Sequence, residues 1–404
     1  MHDLAIRKAR EENFLVAFPK VDGVRRLAVH DTEPSDELMA TAVSNLRSLW
    51  CRGQAPNVSR FTRLKVLSTS NSLSADYEPD KFGRLSLLRY VKVHLAVRQE
   101  DKNSFGKFIG GMRFLQTLDL RAMLPCDLPD FVWNIKTLRH VLLSNRSLGP
   151  PPSIDLTNLQ TLTGVRARES WVAQGSPKLS NVKHLEIFVP KAQGGVQWDA
   201  IVTLLHTMKY LVVLYFWGPD IPLKIIDMRH FLFRCRLTNL TLYDTEYDKE
   251  RAQPDYRQPL NQIVVDDGML PKYLIKVQLM NIKFSKDPFP VVEMLENLRY
   301  LRLNGSKLLL RLCCSARGFG KLEQLHLSHL TGLEEWEIEQ GAMPMLKNLD
   351  VFKCHALRVP LGLQYLTVLQ ELKWWDNGTS ETEENEIRSI CKHIPSVDIA
   401  NFSD

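Results

Sequence analysis

Hydrophobic residues recur along this chain in a single six-residue frame, L-x-x-L-x-L, in which any aliphatic residue can occupy the L positions. Eleven clear copies occupy residues 24–29, 88–93, 115–120, 138–143, 182–187, 211–216, 237–242, 274–279, 298–303, 322–327 and 346–351. Four weaker copies occupy residues 46–51, 64–69, 159–164 and 369–374. The last five copies are spaced by 24 residues three times and then by 23. This regularity indicates an internal repeat.

Each copy of the frame predicts a short β-strand, because its x-L-x-L-x portion alternates apolar and polar positions with a period of two. A single repeat cannot bury its inward leucines alone, so successive repeats stack and their strands pair in parallel. The mean step between frames, about 25 residues, falls within the period of leucine-rich repeats. We therefore predict an α/β solenoid, a leucine-rich-repeat horseshoe with about 15 repeats. It would have a concave parallel β-sheet and a cap at each end.

The two ends of the repeat domain, residues 21–404, and one long gap inside it depart from the repeat pattern. Residues 5–18 are expected to form a helix that caps the first strand, because a bare solenoid end exposes its core. Residues 384–404 are expected to form the second cap, a helix that Pro395 ends before a last strand. In the longest gap, residues 243–258 are charged and almost without aliphatic side chains, which predicts a solvated loop insertion.

Charge and cysteine content narrow the class of protein but indicate no catalytic or metal-binding site. The formal net charge is +6, and no nucleic-acid-binding motif accompanies it, so no nucleic-acid partner is predicted. The seven cysteines are scattered and form no C-x-x-C pair, which indicates reduced thiols in a cytoplasmic protein. The charged N-terminus is unlike a signal peptide. The most apolar window, residues 204–217, is too short to be a transmembrane segment.

The side chains at the third, fifth and seventh frame positions are predicted to point away from the core and to line the concave face. Aromatic residues and arginine dominate protein–protein hot spots, so these residue types on this face are the candidate partner-binding residues. They are Trp50, Tyr90, Phe188, Tyr215, Trp217, Tyr243, Tyr300, Arg302, Phe352 and Trp375. Tyr215 and Trp217 form the densest cluster, with Phe216 between them in a core position. The alternative is that strands favour aromatic residues for packing alone.

Other charged residues and several histidines share this face, but no catalytic or metal site is predicted. The charged residues are Arg26, Arg52, Lys92, Asp119, Arg121, Glu186, Lys276, Asp350, Glu371 and Lys373. The histidines His30, His94, His140, His184 and His326 are too dispersed for a metal site, so solvated or hydrogen-bonded imidazoles are expected. The sequence has no P-loop, HExxH or GxSxG motif, so the chain is predicted not to be an enzyme.

Several segments resemble one protein family. The opening stretch MHDLAIRKAREENF, residues 1–14, resembles the end of the nucleotide-binding region, NB-ARC, of plant disease-resistance proteins of the coiled-coil NLR type. In that family leucine-rich repeats follow directly. Inner segments at 128–141, 330–357 and 361–372, among them GLEEW and AMPMLKNL, are similar to the family's repeats. The resemblance covers essentially the whole chain, and it implies that residues 1–20 are a remnant of the NB-ARC end and the N-terminal cap.

The resemblance implies a switch motif without a working nucleotide site. In the family a Met-His-Asp motif closes the switch and its histidine faces bound ADP, which makes His2 and Asp3 candidate switch remnants. The phosphate-binding loop that the family places before this motif does not occur in this sequence. A lone histidine cannot replace the many phosphate contacts of such a loop. No cofactor is therefore expected, and ADP or ATP would bind only where an NB-ARC region is also present. Asp3 alternatively caps the first helix.

The resemblance also implies a role in plant innate immunity. In such receptors the repeats contact a pathogen effector, or a host protein that an effector alters, and they restrain the nucleotide-binding core. The expected partners are therefore an effector or guarded host protein, and an NB-ARC domain in cis or in trans. The alternative is a stand-alone repeat protein that acts as an adaptor or decoy. No F-box-like helical module precedes the repeats, which counts against an adaptor that presents substrates to a ligase.

Overall fold

The computed structural model describes twelve stretches of the chain and divides it into two compact units. The described residues are 25–30, 45–52, 58–72, 85–94, 109, 111–121, 127–191, 197–245, 264–282, 284, 286–306 and 308–401. Unit 1 comprises residues 1–188 and unit 2 comprises residues 189–404. The predicted N-terminal cap at 5–18 and the switch-motif residues His2 and Asp3 lie outside the described residues.

Unit 1 contains a parallel sheet in which each strand pairs with the next strand along the chain. The strands are β1 Arg26–His30, β2 Ser48–Arg52, β3 Val66–Ser72, β4 Tyr90–His94, β5 Thr117–Leu120, β6 His140–Leu148, β7 Thr161–Arg166 and β8 His184–Phe188. Equivalent frame positions lie opposite one another, as Leu27 does with Leu49. Short helical segments follow some strands: 3-10 helices at Val58–Arg60 and Asp130–Asn134, and helix α1 at Ser170–Gln174.

Unit 2 has the same repeat architecture and contains two sheets. The larger parallel sheet consists, in order, of β9 Val213–Gly218, β10 Asn239–Asp244, β11 Lys276–Met280, β12 Tyr300–Asn304, β14 Gln324–Ser328, β16 Asn348–Phe352, β17 Glu371–Trp375 and β18 Ser396–Ala400. A second parallel sheet pairs β13 Arg311–Cys314 with β15 Glu335–Ile338. The helices are α2 Gln197–Thr207, α3 Leu223–Ile226, α4 Phe289–Val292 and α5 Glu381–Ile390, with a 3-10 helix at Leu363–Tyr365.

The frame leucines form the core, as the alternation of the sequence requires. In β12, Leu301 and Leu303 are only 0% and 1% exposed, whereas the side chains between them and on either side are half-buried. The first leucine of the same frame, Leu298, is also fully buried beneath the strand. The same burial pattern recurs in β9, β11, β16 and β17, because successive side chains of a strand point to opposite faces of the sheet.

A left-handed residue after many strands of unit 2 turns the chain away from the sheet. These residues are Asn281, Gly305, His329, Lys353 and Asp376. Each donates its backbone N–H to the last carbonyl of the next strand in the sheet, so the Gly305 N–H lies 2.9 Å from the Ser328 oxygen. A Cβ at position 305 would lie 1.9 Å from Asn281 Oδ1, so this turn requires glycine twice over, for its positive φ and for space.

The predicted strands and the predicted fold class are confirmed. All fifteen copies of the frame coincide with a strand, and in each case the strand begins at the third frame position. The last predicted strand, which carries Val397 and Ile399, is β18. The architecture is therefore an α/β solenoid of parallel leucine-rich repeats.

The C-terminal helix differs from its predicted bounds. It begins at Glu381 rather than at 384, because Ser380 and Glu383 form a capping box: the Ser380 hydroxyl accepts the Glu383 N–H, and the Glu383 carboxylate accepts the Ser380 N–H. It ends at Ile390, so it stops before Pro395 rather than at it. The amphipathic pattern located the helix, but the capping box determines where it starts.

Two other features of unit 2 depart from the sequence analysis. Tyr243 and Asp244, the first residues of the predicted loop 243–258, belong to β10 because they continue its pairing with β9. The rest of that loop, from 246 on, lies outside the described residues. The second sheet was not predicted. Its strands coincide with two frame-like stretches that the sequence analysis did not count: residues 309–314 carry cysteine at the last apolar position, and residues 333–338 carry Trp336 at the second.

Candidate partner-binding surface

The ten candidate partner-binding residues lie on the open faces of the unit 1 sheet and of the larger unit 2 sheet. The open face is the face opposite the leucine core. Each of these side chains is half-buried, so neighbouring side chains support it while part of it stays accessible. Three of the ten belong to unit 1: Trp50, Tyr90 and Phe188. The other seven belong to unit 2: Tyr215, Trp217, Tyr243, Tyr300, Arg302, Phe352 and Trp375.

The pairing register of unit 2 arranges the open face in rows. The central row collects the fifth frame positions of successive repeats: Tyr215, Thr241, Gln278, Arg302, His326, Asp350, Lys373 and Asp398. Neighbours in such a row are roughly 4.8 Å apart at the backbone. Side chains of neighbouring repeats therefore touch even where the repeats are far apart in sequence, as the Gln278 amide shows by donating to the Thr241 hydroxyl, 37 residues earlier, at 2.8 Å.

A cluster of four residues, Tyr300, Arg302, His326 and Asp350, occupies the middle of this surface, and we name it the central cluster. His326 Nδ1 lies 2.7 Å from Asp350 Oδ2. The imidazole also packs against the Tyr300 ring, with 5.0 Å between the ring centroids. On the other side of that phenol, the Lys276 ammonium lies 4.5 Å from the ring centroid, within cation–π range. These contacts hold the cluster in one arrangement.

The central cluster has hydrogen-bonding capacity that the described part of the chain does not use. Arg302 Nε, His326 Nε2 and Asp350 Oδ1 are buried and have no hydrogen-bond partner among the described residues. Buried polar atoms in native proteins are nearly always paired, so three such atoms in adjacent repeats are unusual. When His326 Nδ1 donates to Asp350, the three atoms comprise one donor and two acceptors. The cluster is therefore suited to polar recognition.

The phenol of Tyr300 adds a further donor to the central cluster. Burial raises the pKa of Tyr300, and the positive charge of Arg302 acts in the opposite direction. Because the net shift is upward from a value near 10, the hydroxyl stays protonated at neutral pH and can donate a hydrogen bond.

Aromatic side chains flank the central cluster on both sides. Tyr215 and Trp217 form an edge-to-face pair with centroids 5.0 Å apart, and Trp217 lies opposite Tyr243 in the strand register. Phe216 between them is fully buried, as predicted. At the other side, the Lys373 ammonium lies 5.7 Å from the Trp375 ring centroid. Unit 2 thus combines a polar centre with an apolar periphery on one sheet face.

In unit 1 one charged residue of the open face differs from its predicted exposure. The side chain of Asp119 is only 3% exposed, because the Arg121 guanidinium covers it with two hydrogen bonds of 3.0 and 2.8 Å. Burial alone would raise the pKa of Asp119, but the hydrogen bonds and charge of Arg121 outweigh burial, and the pKa is lowered. Asp119 is therefore a buried anion that fixes Arg121 at the surface.

Sequence reasoning did not select two members of the central cluster, His326 and Asp350, as partner-binding residues. Hot-spot composition favours aromatic residues and arginine and carries no information about pairs of residues. A usable signal was present, because Arg302, His326 and Asp350 occupy the same frame position in three consecutive 24-residue repeats. Same-position residues in consecutive repeats become neighbours on the sheet, so opposite charges at such spacing indicate contact.

Metal binding and membrane crossing find no support in the residues that the structure describes. Within them, no group of three or more His, Cys, Asp and Glu side chains is arranged to hold a metal ion. No helix among them is long and apolar enough to span a bilayer.

The fold and the repeat register define a leucine-rich-repeat protein, and comparison with known families agrees. A family model described as a leucine-rich repeat region matches residues 45–396, so the chain belongs to that family. Among solved structures, a leucine-rich-repeat protein of Leptospira interrogans covers 97% of this chain and 98% of its own, with 18% identity and a TM-score of 0.50. The functional domain of InlJ from Listeria monocytogenes covers 86% of this chain and 67% of its own, with 13% identity and a TM-score of 0.53.

Curated relatives specify the kind of repeat protein. Disease resistance RPP8-like protein 3 of Arabidopsis thaliana is 24% identical over 449 residues, which cover 100% of this chain and 45% of the relative. Disease resistance protein RPP8 of the same plant is 26% identical over 413 residues, which cover 92% of this chain and 42% of the relative. The repeats are thus of the NLR disease-resistance type, and the chain is a leucine-rich-repeat protein of plant immunity. It spans less than half the length of these relatives.

Proposed function

We propose that the chain recognises a pathogen effector, or a host protein that an effector alters, through the open face of unit 2. The central cluster supports this proposal most directly. Its tyrosine and arginine belong to the residue types that dominate protein–protein hot spots, and three of its buried polar atoms have no partner among the described residues. A protein partner that supplies matching groups would gain binding energy there, because pairing relieves buried atoms that are otherwise unsatisfied.

The aromatic periphery gives the proposed interface its second component. Tyr215 and Trp217 present apolar surface beside the polar centre, and Trp217 Nε1 is a further buried donor without a partner in the described ranges. Binding hot spots combine desolvated aromatic anchors with polar groups that fix orientation. A partner that covers both the aromatic pair and the central cluster would satisfy this combination.

Restraint of a nucleotide-binding switch is the second part of the proposal. A repeat domain restrains such a switch only if it binds the closed form better than the open form, and an effector releases it only by the reverse preference. The motif at His2 and Asp3 and the similarity to disease-resistance proteins support this role. Sequencing the 5′ end of the native transcript tests whether restraint acts in cis. A message that continues upstream in frame into a phosphate-binding loop would support restraint in cis, and a message that starts at Met1 would contradict it.

Recognition can be tested by a selection with matched variants. Wild-type chain is immobilised and used to select from displayed libraries of secreted pathogen proteins and of plant proteins. Each binder is then measured against Tyr215→Ala/Trp217→Ala and against Arg302→Ala/Asp350→Ala. The control double variant, Tyr273→Ala/Met294→Ala, removes an aromatic and a long apolar side chain that are both exposed outside the open face.

The proposal predicts that both open-face variants keep their fold and weaken binding by tenfold or more, whereas the control variant binds like wild type. A tenfold loss corresponds to about 1.4 kcal/mol, which is small for a hot-spot residue. Equal binding by wild type and both open-face variants would place the recognition surface elsewhere. Selection of ligase subunits alone would favour the adaptor function instead.

A further inference from the structure

A row of basic side chains runs along one edge of the unit 1 sheet, at the second frame position of each repeat. The eight positions in order hold Arg25, Arg47, Lys65, Arg89, Gln116, Arg139, Gln160 and Lys183. From Arg47 onward, each backbone N–H donates to the carbonyl of the same position in the preceding repeat, at distances of 2.7 to 2.8 Å. The row is therefore a continuous hydrogen-bonded ladder with a rung about every 4.8 Å. We name its six arginines and lysines the basic row.

Carboxylates do not neutralise the basic row within the described part of unit 1. No ion pair there involves any of its six members, and all of them except the half-buried Arg47 are exposed. The pKa of nearby His140 agrees with a positive local potential. Burial lowers that pKa most, and the charges of Arg139, His184 and Lys183 lower it further. The positive charges of the basic row thus act together on their surroundings.

The fold itself does not require this row of charges. In unit 2 the same frame position holds Val212, Thr238, Ile275, Arg299, Glu323, Lys347 and Gln370. There the two basic side chains share one acid: Arg299 lies 2.6 Å and Lys347 3.2 Å from the Glu323 carboxylate. The same backbone ladder therefore accommodates neutral and acidic residues, so the charge of unit 1 is a property of its surface and not of its packing.

The side chains beside the basic row indicate the kind of anion that fits. Leu87 and Phe114, each directly before the first leucine of its frame, are 38% and 50% exposed. The neutral polar side chains at the same position in the following repeats are already used: Asn158 and Asn181 donate to backbone carbonyls at 3.0 and 2.7 Å. The basic row and its neighbours thus offer positive charge and apolar surface. They offer few unpaired hydrogen-bonding groups that could recognise a base edge or a peptide sequence.

We propose that the basic row is a docking surface for a membrane that carries anionic lipid headgroups. Basic side chains near such a surface are attracted to it without regard to sequence, and adjacent Leu and Phe side chains enter the headgroup region. A row of side chains at regular spacing suits a continuous layer of headgroups better than a single acidic side chain. This function uses the strand starts of unit 1, whereas the proposed recognition of a partner uses the open face of unit 2.

Vesicle co-sedimentation tests the proposal on the full chain. Vesicles of phosphatidylcholine alone are compared with vesicles that also contain phosphatidylserine. Wild type should bind only the anionic vesicles, and binding should weaken as salt rises because salt screens charges on this length scale. The variant Arg47→Gln/Lys65→Gln/Arg89→Gln should bind on the order of 100-fold more weakly, since each basic side chain near the surface contributes roughly a factor of five.

The control variant, Lys209→Gln/Lys272→Gln/Arg317→Gln, removes the same charge from exposed positions of unit 2 and should bind like wild type. Phe114→Ser should weaken binding severalfold with an unchanged salt dependence. No binding of wild type to anionic vesicles would overturn the proposal, as would equal losses in the two triple variants. Tighter binding to polyglutamate or single-stranded RNA than to the vesicles would assign the row to an acidic protein or a nucleic acid instead.

Discussion

At the scale of single residues, the frame leucines and the residues between them have separate tasks. Leu301 is fully buried, while Tyr300 and Arg302 on either side reach the opposite face of the sheet. Interior leucines fit their neighbours closely, and removing one leaves a cavity that the structure fills only in part. Open-face residues can therefore change without affecting the core, whereas frame leucines cannot.

The variant Leu301→Ala should lower the free energy of unfolding by roughly 2–5 kcal/mol, through lost burial and cavity formation. Denaturant unfolding followed by circular dichroism measures this change. Leu310→Ala is the matched control, because the same side chain is 59% exposed there and its truncation should cost less than about 0.5 kcal/mol. Equal effects of the two substitutions would show that the frame does not define the core.

A second residue-scale prediction concerns Asp287, which supports the edge of the second sheet. Its carboxylate accepts the backbone N–H groups of Phe289 and Cys313, each at 2.8 Å. Burial nevertheless raises the pKa of Asp287 to about 6, with these hydrogen bonds opposing the shift. Because the folded pKa exceeds the unfolded one, the folded chain binds more protons between pH 4 and 6. The stabilisation from protonation is complete below the unfolded pKa and is lost as pH rises through the folded pKa.

Wild type should therefore gain about 1 kcal/mol of unfolding free energy between pH 7 and pH 5 relative to Asp287→Asn, which lacks this titration. Parallel denaturant titrations at the two pH values measure the difference. Glu296→Gln, a substitution at a surface carboxylate, serves as control and should keep the wild-type pH dependence. A parallel pH dependence for wild type and Asp287→Asn would refute the raised pKa.

At the scale of elements, the strands were predictable and the helix ends were not. Every frame copy specified the first residue of its strand, because a period-two alternation with one buried face leaves one register. The start of α5 depends on side-chain hydrogen bonds at Ser380 and Glu383, which hydrophobic periodicity does not detect. The strands β13 and β15 were not predicted because their frame-like stretches, residues 309–314 and 333–338, lie between the regularly spaced copies at 298, 322 and 346 and carry cysteine or tryptophan at an apolar position.

In the candidate site too, the sequence pattern predicted single residues but not the contacts between them. Arg302 was predictable from its frame position and residue type. The pairing of His326 with Asp350 was not selected, because it joins two repeats and requires the strand register as well as the sequence. The burial of Asp119 under Arg121 depends on the rotamer of one long side chain, which no sequence pattern determines.

The capping box of α5 gives the element-scale prediction. Ser380→Ala removes the acceptor for the Glu383 N–H and should cost about 1 kcal/mol of stability, with local fraying of a helix whose Ile387 is fully buried. Amide hydrogen exchange in residues 381–390 measures the fraying. Glu383→Gln is the matched control, since glutamine also completes a capping box and should change exchange little. Unchanged exchange after Ser380→Ala would mean that packing alone holds the helix.

At the scale of the whole molecule, one backbone plan carries two chemically different surfaces. The first and fourth frame positions are aliphatic in every copy, so the strands keep their geometry while the outward positions vary freely. In unit 2 the variation builds the central cluster and its aromatic periphery. In unit 1 it builds the basic row at the strand starts. The outward surface of the repeats can in this way vary without altering the fold.

Hydroxyl-radical footprinting of the chain with and without a selected binder shows where the partner binds, because tyrosine, tryptophan and histidine report their own solvent access. We expect the binder to protect Tyr300, His326 and Trp217 on the open face of unit 2. Tyr273 and Tyr365, which are exposed elsewhere on unit 2, should keep their reactivity. Protection of Tyr273 and Tyr365 with unchanged oxidation of Tyr300 and His326 would contradict the claim that the open face of unit 2 is the recognition surface.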